Sequence, residues 1–155
     1  MNTNATPIYE IALGTHRTVG AICIILSLST GIAAFASRQY IPAYCLLLFA
    51  VLGTIVIATG GSIRISENAI EHKNLFGRYR IAWSDIRRIE VGNAGTLIFH
   101  GDNKRFTCIP PGFWSGSQKP DAVAMLTRKL EGLNVKTYRT STGDYKMHKN
   151  VRAID

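Results

Sequence analysis

The chain has 155 residues, of which 46% are hydrophobic and only 18% are charged. The charges divide unevenly at Gly61: residues 1–61 carry two basic side chains and one acidic side chain, whereas residues 62–155 carry the other 16 basic and 9 acidic ones, so the net charges are +1 and +7. This division excludes a uniform water-soluble globule. It also disfavours a disordered polyelectrolyte, because the first part is too apolar to remain solvated. We expect a membrane segment joined to a basic domain that faces water.

Two uncharged runs on either side of Arg38 predict a helical hairpin across a membrane. Residues 18–37 and 39–63 contain no charged side chain, and about 20 helical residues cross a hydrocarbon core of about 30 Å. We place the spans near residues 19–36 and 41–59, after an N-terminal segment of residues 1–17. A pair of buried core helices is the alternative, but so small a domain has too little structure to surround two helices that are apolar on every face.

Positive flanks predict that both termini lie in the cytosol. The connection between the spans offers only Arg38, whereas the region that begins at Arg64 is rich in Lys and Arg, and positive flanks stay on the cytosolic side. A competing interpretation is a signal-peptidase site at Ala34-Phe35-Ala36. We favour the hairpin, because a 17-residue leader containing Glu10 precedes the apolar stretch and cleavage would leave the second span almost at the new terminus.

After Gly61 the pattern changes to the alternation that is typical of half-buried strands. Turn residues such as Gly101-Asp102-Asn103 separate the strands, and apolar residues at helical spacing from Pro120 to Leu133 predict one amphipathic helix. The predicted strands are residues 62–66, 69–76, 78–83, 85–91, 96–100 and 104–109. The order predicts an antiparallel curled sheet whose open face is capped by the C-terminal helix.

Two segments resemble the bacterial pleckstrin-homology-like (PH-like) domain of small membrane proteins: Ile65-Ser66-Glu67-Asn68-Ala69-Ile70 and Asn74-Leu75-Phe76-Gly77-Arg78-Tyr79-Arg80-Ile81-Ala82-Trp83-Ser84-Asp85-Ile86. In that family a strand pair turns at a Leu-Phe-Gly-Arg type segment and a Trp-Ser-Asp-Ile type segment opens the next strand. A hydrophobic hairpin commonly precedes the domain. The resemblance covers about residues 61–134 and implies an all-β or α+β PH-like domain in the bacterial inner membrane. Such a fold has seven strands, so a short seventh strand is expected near residues 112–117, or none.

No constellation of residues predicts catalysis, a cofactor or a metal site. Asp85 and Glu90 are an odd number of residues apart on a predicted strand, so they face opposite sides. The turn at residues 92–95 lacks the Lys and Ser/Thr of a phosphate-binding loop, and the cysteines have no metal-like spacing. The histidines are also scattered, at His16, His72, His100 and His148. We therefore expect a non-enzymatic protein without a cofactor.

Positive charge is the remaining indication of function. The candidate lipid- or partner-binding residues lie near the ends of predicted strands and are Arg78, Arg80, Arg87, Arg88, Lys104 and Arg105. Anionic lipid headgroups attract such side chains by about 1 kcal/mol each near the surface. The first hypothesis is a membrane-apposed module that binds a protein partner or a second copy of itself and contacts anionic lipid. A solvated basic surface with no ligand explains the same charges equally well.

The alternative hypothesis is a membrane-tethered nucleic-acid-binding protein, which the net charge of +8 permits. No recognition motif accompanies the charge, and Tyr79, Trp83 and Phe106 alternate as core residues rather than as a stacking row. Nucleic acid is therefore the less favoured partner. Residues 135–155 are basic and lack periodicity, which predicts a flexible tail.

Overall fold

The computed structural model describes residues 8–153. The elements in chain order are β1 (Tyr9–Ala12), α1 (Gly14–Ala36), α2 (Tyr40–Thr59), β2 (Ser62–Ile65), β3 (Ala69–Asn74), β4 (Gly77–Ala82), β5 (Arg88–Gly92), β6 (Leu97–Gly101), β7 (Lys104–Cys108), α3 (Lys119–Gly132) and β8 (Lys136–Thr140). Short 3-10 turns occupy Trp83–Asp85, Pro111–Phe113 and Gly143–Tyr145.

The helices α1 and α2 pack against each other, and both are long and apolar enough to cross a membrane. Their backbones approach closely where Gly20 meets Gly53, because a Cβ on Gly20 would lie 2.7 Å from the carbonyl oxygen of Gly53. Most of their remaining surface is exposed apolar side chain. The predicted spans fall inside these helices, and the exposure excludes the alternative of two helices buried in a core formed by residues 8–153.

The hairpin is inserted between two neighbouring strands of one sheet. β1 ends one residue before α1, β2 begins two residues after the end of α2, and the two strands pair antiparallel with Ala12 opposite Ser62. One step further, the Leu13 N–H donates to the Gly61 carbonyl over 3.0 Å. The sequence predicts that the N-terminal segment, residues 1–17, is separate from the domain. This prediction is wrong for β1, because Ile11 and the adjoining Leu13 are fully buried in the domain core.

Two four-stranded sheets build the domain, in the orders β1-β2-β3-β4 and β7-β6-β5-β8. Neighbouring strands are antiparallel except β5 and β8, which are parallel. On its buried face α3 places Ala122, Met125 and Leu126 in the same core as residues of both sheets. The helix therefore covers the core as expected. The six strands predicted between residues 61 and 134 form as β2–β7, and their pairs are antiparallel. They divide between two sheets instead of forming one, and β1 and β8 add one strand to each sheet, β8 in parallel with β5.

No seventh strand forms near residues 112–117. That region contains the 3-10 turn Pro111–Phe113 and a single bridge between Ser115 and Ala12 of β1. Pro110 and Pro111 carry no backbone N–H and therefore cannot donate to a strand ladder. The additional strands, β1 and β8, come instead from segments before the hairpin and after α3.

Residues 136–153 belong to the folded domain and do not form the predicted flexible tail. After β8, the chain reaches both β4 and β7 and connects them. Arg105 and Lys149 exchange backbone hydrogen bonds of 2.9 and 2.8 Å, and the Arg80 N–H donates to the Val151 carbonyl over 2.8 Å. Val151 also joins the core. Backbone hydrogen bonds and buried Val151 are among the contacts that hold this segment, and neither produces an apolar periodicity in the sequence.

Because β1 and β2 are neighbours, a tight turn is expected to replace the hairpin. A chain in which Asn-Gly replaces residues 14–60 should fold as a water-soluble domain, since the Leu13–Gly61 pair positions the two ends for a two-residue turn. A chain that begins at Ser62 loses buried Ile11 and Leu13 and should be less stable by about 4 kcal/mol. Urea unfolding followed by circular dichroism compares the two chains, and equal stability would contradict the placement of β1.

The packing of the C-terminal segment is tested by one buried and one exposed position. Val151 is 5% exposed, and Val151→Ala should lower the free energy of unfolding of the full chain by about 2 kcal/mol because two buried methyl groups are lost. Met147 in the same segment is 77% exposed, so Met147→Ala should be nearly neutral. Chemical unfolding in detergent measures both variants. Equal effects would show that Val151 is not packed in the core.

Candidate functional site

The structure does not gather the six predicted cations into one patch. On β4, Arg78 and Arg80 both reach Glu71 of the neighbouring β3, with N–O distances of 2.8 and 3.5 Å. On β5, Arg88 lies 3.6 Å from Glu90. These cations therefore share two carboxylates that lie on two different sheets.

The remaining three predicted cations lie near the turn between β6 and β7. Arg87 is 3.4 Å from Asp102, and the Lys104 Nζ is 2.8 Å from a carboxylate oxygen of Asp85. Arg105 donates from Nε to the Met147 carbonyl over 2.7 Å and thereby helps to hold the C-terminal segment. Exposed pairs of this kind each contribute about 0–1 kcal/mol. Asp102 and Asp85 offset the charges of Arg87 and Lys104, whereas Arg105 has no carboxylate partner among the described residues.

A different surface lies where the hairpin enters the domain: the turn between β3 and β4, which we call the Leu75–Phe76 turn. The Leu75 N–H donates to the Ala58 carbonyl over 3.2 Å, and the Asn74 side-chain amide donates to the Thr59 carbonyl over 3.4 Å. These bonds hold the turn against the last turn of α2. Leu75 is 81% exposed and Phe76 is 51% exposed. The turn therefore presents two apolar side chains to the surroundings beside the end of the hairpin.

A cleft beside this turn, which we call the basal cleft, contains two cations. It is lined by residues of β1, α1, α2, β2, β3 and the adjoining turns, including exposed Arg17 and Lys73. Within residues 8–153, neither cation forms an ion pair with a carboxylate. Glu10 also lines the cleft, but Arg64 donates to it over 2.8 Å and holds the pKa of this carboxyl below its usual value. The charge of Lys73 also contributes to this lowering, so Glu10 offsets part of the positive charge of the cleft.

The domain also contacts the beginning of the hairpin. The Gly14 N–H donates to the Ser115 hydroxyl over 2.9 Å, and the Ser115 hydroxyl lies 2.9 Å from the Ala12 carbonyl, to which it donates. The Thr15 hydroxyl donates to the Phe113 carbonyl over 3.4 Å. Both helices of the hairpin are therefore hydrogen-bonded to the domain at their base, and no free linker separates the two parts.

A hydrogen-bond chain of two histidines connects the C-terminal segment to the hairpin base. The Thr107 N–H donates to His148 Nδ1 over 3.1 Å, His148 Nε2 lies 3.1 Å from His72 Nδ1, and His72 Nε2 lies 2.8 Å from the Gly60 carbonyl. Because the carbonyl only accepts and the amide only donates, both rings must be neutral, with a proton on His148 Nε2. The His148 ring also stacks on Tyr79 at 4.3 Å.

Burial lowers the pKa of both histidines. The pKa of His148 falls to about 4, with a further contribution from the neighbouring His72. Burial is also the main cause of the lowered pKa of His72, and the bond to the Gly60 carbonyl opposes it. Sequence analysis treated these histidines as scattered, because residues 72 and 148 are brought together only when the C-terminal segment joins the sheets.

A second cluster surrounds Glu90 on β5, where Lys146 contacts the carboxylate and His100 Nε2 lies 3.3 Å away. Burial opposes ionisation of Glu90, but the contacts with Lys146 and His100 outweigh it and leave the pKa of this carboxyl lowered. The cluster ties the C-terminal segment to the sheet. Within the described part of the chain, no group of three or more His, Cys, Asp or Glu side chains is arranged to hold a metal ion.

Acid is expected to destabilise the fold through His148. Its pKa is about 4 in the folded chain against an ordinary value of 6.5, so unfolding takes up a proton between these values. The free energy of unfolding should therefore be unaffected by this group above pH 6.5 and fall by about 2 kcal/mol as the pH drops from 7 to 4.5. His148→Gln removes the titration but retains an amide donor for His72. Urea unfolding in detergent across this range should show a smaller pH dependence for His148→Gln, and identical slopes would contradict the assignment.

Comparison with known proteins identifies the family of the domain. The family model described as "Bacterial PH domain" matches residues 62–129, from the beginning of β2 into α3. No curated protein and no solved structure matches the chain. The matched region leaves out β1, the hairpin, β8 and the C-terminal segment, although β1 and the C-terminal segment contribute to the same core. The match of residues 62–129 to the bacterial PH domain confirms the resemblance seen in the sequence.

Proposed function

We propose that the protein is a non-enzymatic, membrane-anchored interaction module that holds its PH domain in a fixed orientation at the cytosolic face of the bacterial inner membrane. The observation that carries this proposal is the insertion of the hairpin between paired strands β1 and β2. Only Leu13 on one side, and Gly60 and Gly61 on the other, separate the strands from the helices. A joint this short, hydrogen-bonded on both sides, leaves the domain little freedom to rotate.

The distribution of charge supports the membrane orientation. The connection between the two helices carries Arg38, whereas the domain side carries Arg17 and a net charge of +7 after Gly61. Positive residues favour the cytosolic side of a membrane, so the domain and both ends of the hairpin belong there. The exposed apolar surface of both helices requires an apolar environment, which a bilayer supplies.

An interaction role is supported by the bacterial PH domain match and by an open sheet edge. β8 is the last strand of its sheet, so one of its backbone edges has no neighbouring strand among residues 8–153. Tyr138 on this strand is exposed, and Lys136 and Arg139 flank it with positive charge. Such an edge can pair with an extended strand of a protein partner or of a second copy of the chain.

The six basic residues identified in the sequence remain candidates for contact with anionic lipid or with an acidic partner. The side chains of Arg80, Arg87 and Arg88 are more than half exposed despite their ion pairs. No comparable observation favours nucleic acid. Trp83 and Phe106 are buried, and Tyr79 stacks on His148, so these aromatic rings do not form an exposed platform for bases.

The orientation is tested by cysteine labelling in bacterial cells that express the full chain with Cys23→Ala and Cys45→Ala. We expect Gln39→Cys, between the helices, to react with a membrane-impermeant maleimide in intact spheroplasts. Tyr138→Cys, on β8, should react only in inverted vesicles. The chain should also resist alkaline carbonate extraction, whereas the chain with Asn-Gly in place of residues 14–60 should be released. Extraction of the full chain, or the reverse labelling pattern, would overturn the proposal.

A further inference from the structure

The end of α2 fixes the depth at which the domain meets a bilayer. α2 has 20 residues, and a helix of this length spans about 30 Å, which is the thickness of the hydrocarbon core. If α2 crosses the membrane as proposed above, Ala58 and Thr59 lie at the boundary between acyl chains and headgroups. The Leu75–Phe76 turn is hydrogen-bonded to the carbonyls of these two residues and therefore lies at the same depth.

Exposed apolar side chains at this depth have a favourable environment available. The side chains of Leu75 and Phe76 point away from the domain core and are exposed to water in the isolated chain. Burial of these side chains in the acyl boundary is favourable, because it removes their apolar surface from water. The Asn74 side-chain oxygen accepts a hydrogen bond of 2.9 Å from the Phe76 N–H, which helps to fix the shape of the turn.

The basal cleft places cations beside these apolar side chains. Lys73 lies on β3 two residues before Leu75, and Arg17 lies in the first turn of α1, so both are close to the same boundary. Within the described residues neither cation forms a salt bridge, and Lys73 interacts with the Glu10 carboxylate only at longer range. The cleft has a volume of about 540 Å³, which is within the usual size range of small-molecule sites. A phosphate that lies at the membrane surface has the charge and the position to bind here.

We infer that the Leu75–Phe76 turn and the basal cleft form a binding site for anionic phospholipid, in which Leu75 and Phe76 enter the acyl boundary and Arg17 and Lys73 bind the headgroup phosphate. The inference rests on the proposed membrane anchoring and adds a ligand and a location to it. The site differs from the six cations predicted from the sequence, although Arg78 lies opposite Lys73 in the sheet register. It also explains why an apolar pair occupies a turn, where polar residues are the rule.

The depth of the turn is measured with nitroxide labels on the full chain in nanodiscs of phosphatidylcholine and phosphatidylglycerol. Cys23→Ala and Cys45→Ala remove two native thiols. Cys108 does not compete for the label, because it is buried and burial raises its pKa to about 12. Labels are placed at Leu75→Cys, at Asn68→Cys and at Leu48→Cys. Asn68 is the matched control, because it lies at the opposite end of β3, roughly 20 Å from Leu75.

The accessibility of each nitroxide label to oxygen and to a water-soluble nickel chelate is measured, and it distinguishes the possible outcomes. We expect the label at Leu48, in the middle of α2, to be deep, the label at Leu75 to lie at the interface, and the label at Asn68 to be in water. A water-exposed label at Leu48 would overturn the membrane anchoring itself. A deep label at Leu48 together with equal water exposure at Leu75 and Asn68 would overturn only the present inference.

Headgroup binding is measured by titrating the detergent-solubilised full chain with fluorescent phosphatidylglycerol and, for comparison, phosphatidylcholine. The double variant Arg17→Gln, Lys73→Gln should bind phosphatidylglycerol at least about tenfold more weakly, because two attractive charges are removed. The double variant Lys119→Gln, Lys149→Gln removes the same charge from positions outside the cleft and should bind as the parent chain does. Equal loss in both double variants, or no loss in either, would overturn the assignment of Arg17 and Lys73.

Discussion

The pairing of β1 with β2 across the helical hairpin is the constraint on which the rest of the structure depends. Four register pairs join the strands, from Tyr9 opposite Ile65 to Ala12 opposite Ser62, although the whole hairpin separates them in sequence. The hairpin itself brings the ends of the two strands together, because α1 and α2 pack along their length. The strands in turn hold the ends of the helices together. Formation of the hairpin therefore lowers the loop-closure entropy cost of pairing β1 with β2, and formation of the strand pair lowers the corresponding cost for the hairpin.

The joint leaves almost no space for variation. Gly61 has a φ of +92°, and a Cβ at this position would lie 1.9 Å from the carbonyl oxygen of Lys73. Only glycine tolerates both conditions. The neighbouring carbonyl of Gly60 accepts the hydrogen bond of His72. The direction in which α2 leaves the domain is therefore set by backbone contacts with β3, and this is why the turn at the end of β3 has a defined depth relative to the helices.

Much of this architecture could be predicted from local sequence patterns. The helices, the strands β2 to β7 and α3 each carry their own periodic pattern or turn residues. β1 could not be recognised, because four residues are too short for a pattern and the partner strand follows the hairpin. β8 is polar and exposed at an edge, so it lacks the alternation of a half-buried strand. The C-terminal segment is held in part by Val151 and by backbone hydrogen bonds. These contacts require no periodic pattern of apolar residues in the sequence.

The candidate functional surface could also be predicted only in part from the sequence. The basic residues of β4 and β5 could be listed from the sequence, but the carboxylates that offset them, Glu71 and Glu90, become their neighbours only through strand register and the folded C-terminal segment. Leu75 and Phe76 were visible as part of a family motif. Their exposure follows from a turn whose position is set by α2, so no local pattern could have distinguished them from core residues.

The C-terminal segment and the Leu75–Phe76 turn are connected through β3 and β4. Arg152 donates to the Phe76 carbonyl over 3.1 Å, and a Cβ at Gly77 would lie 3.1 Å from the Arg152 side chain. His148 reaches the hairpin base through His72. A partner that displaced this segment would therefore remove contacts from both the Leu75–Phe76 turn and the end of α2. The C-terminal segment and the Leu75–Phe76 turn therefore share contacts, and we expect each to stabilise the other.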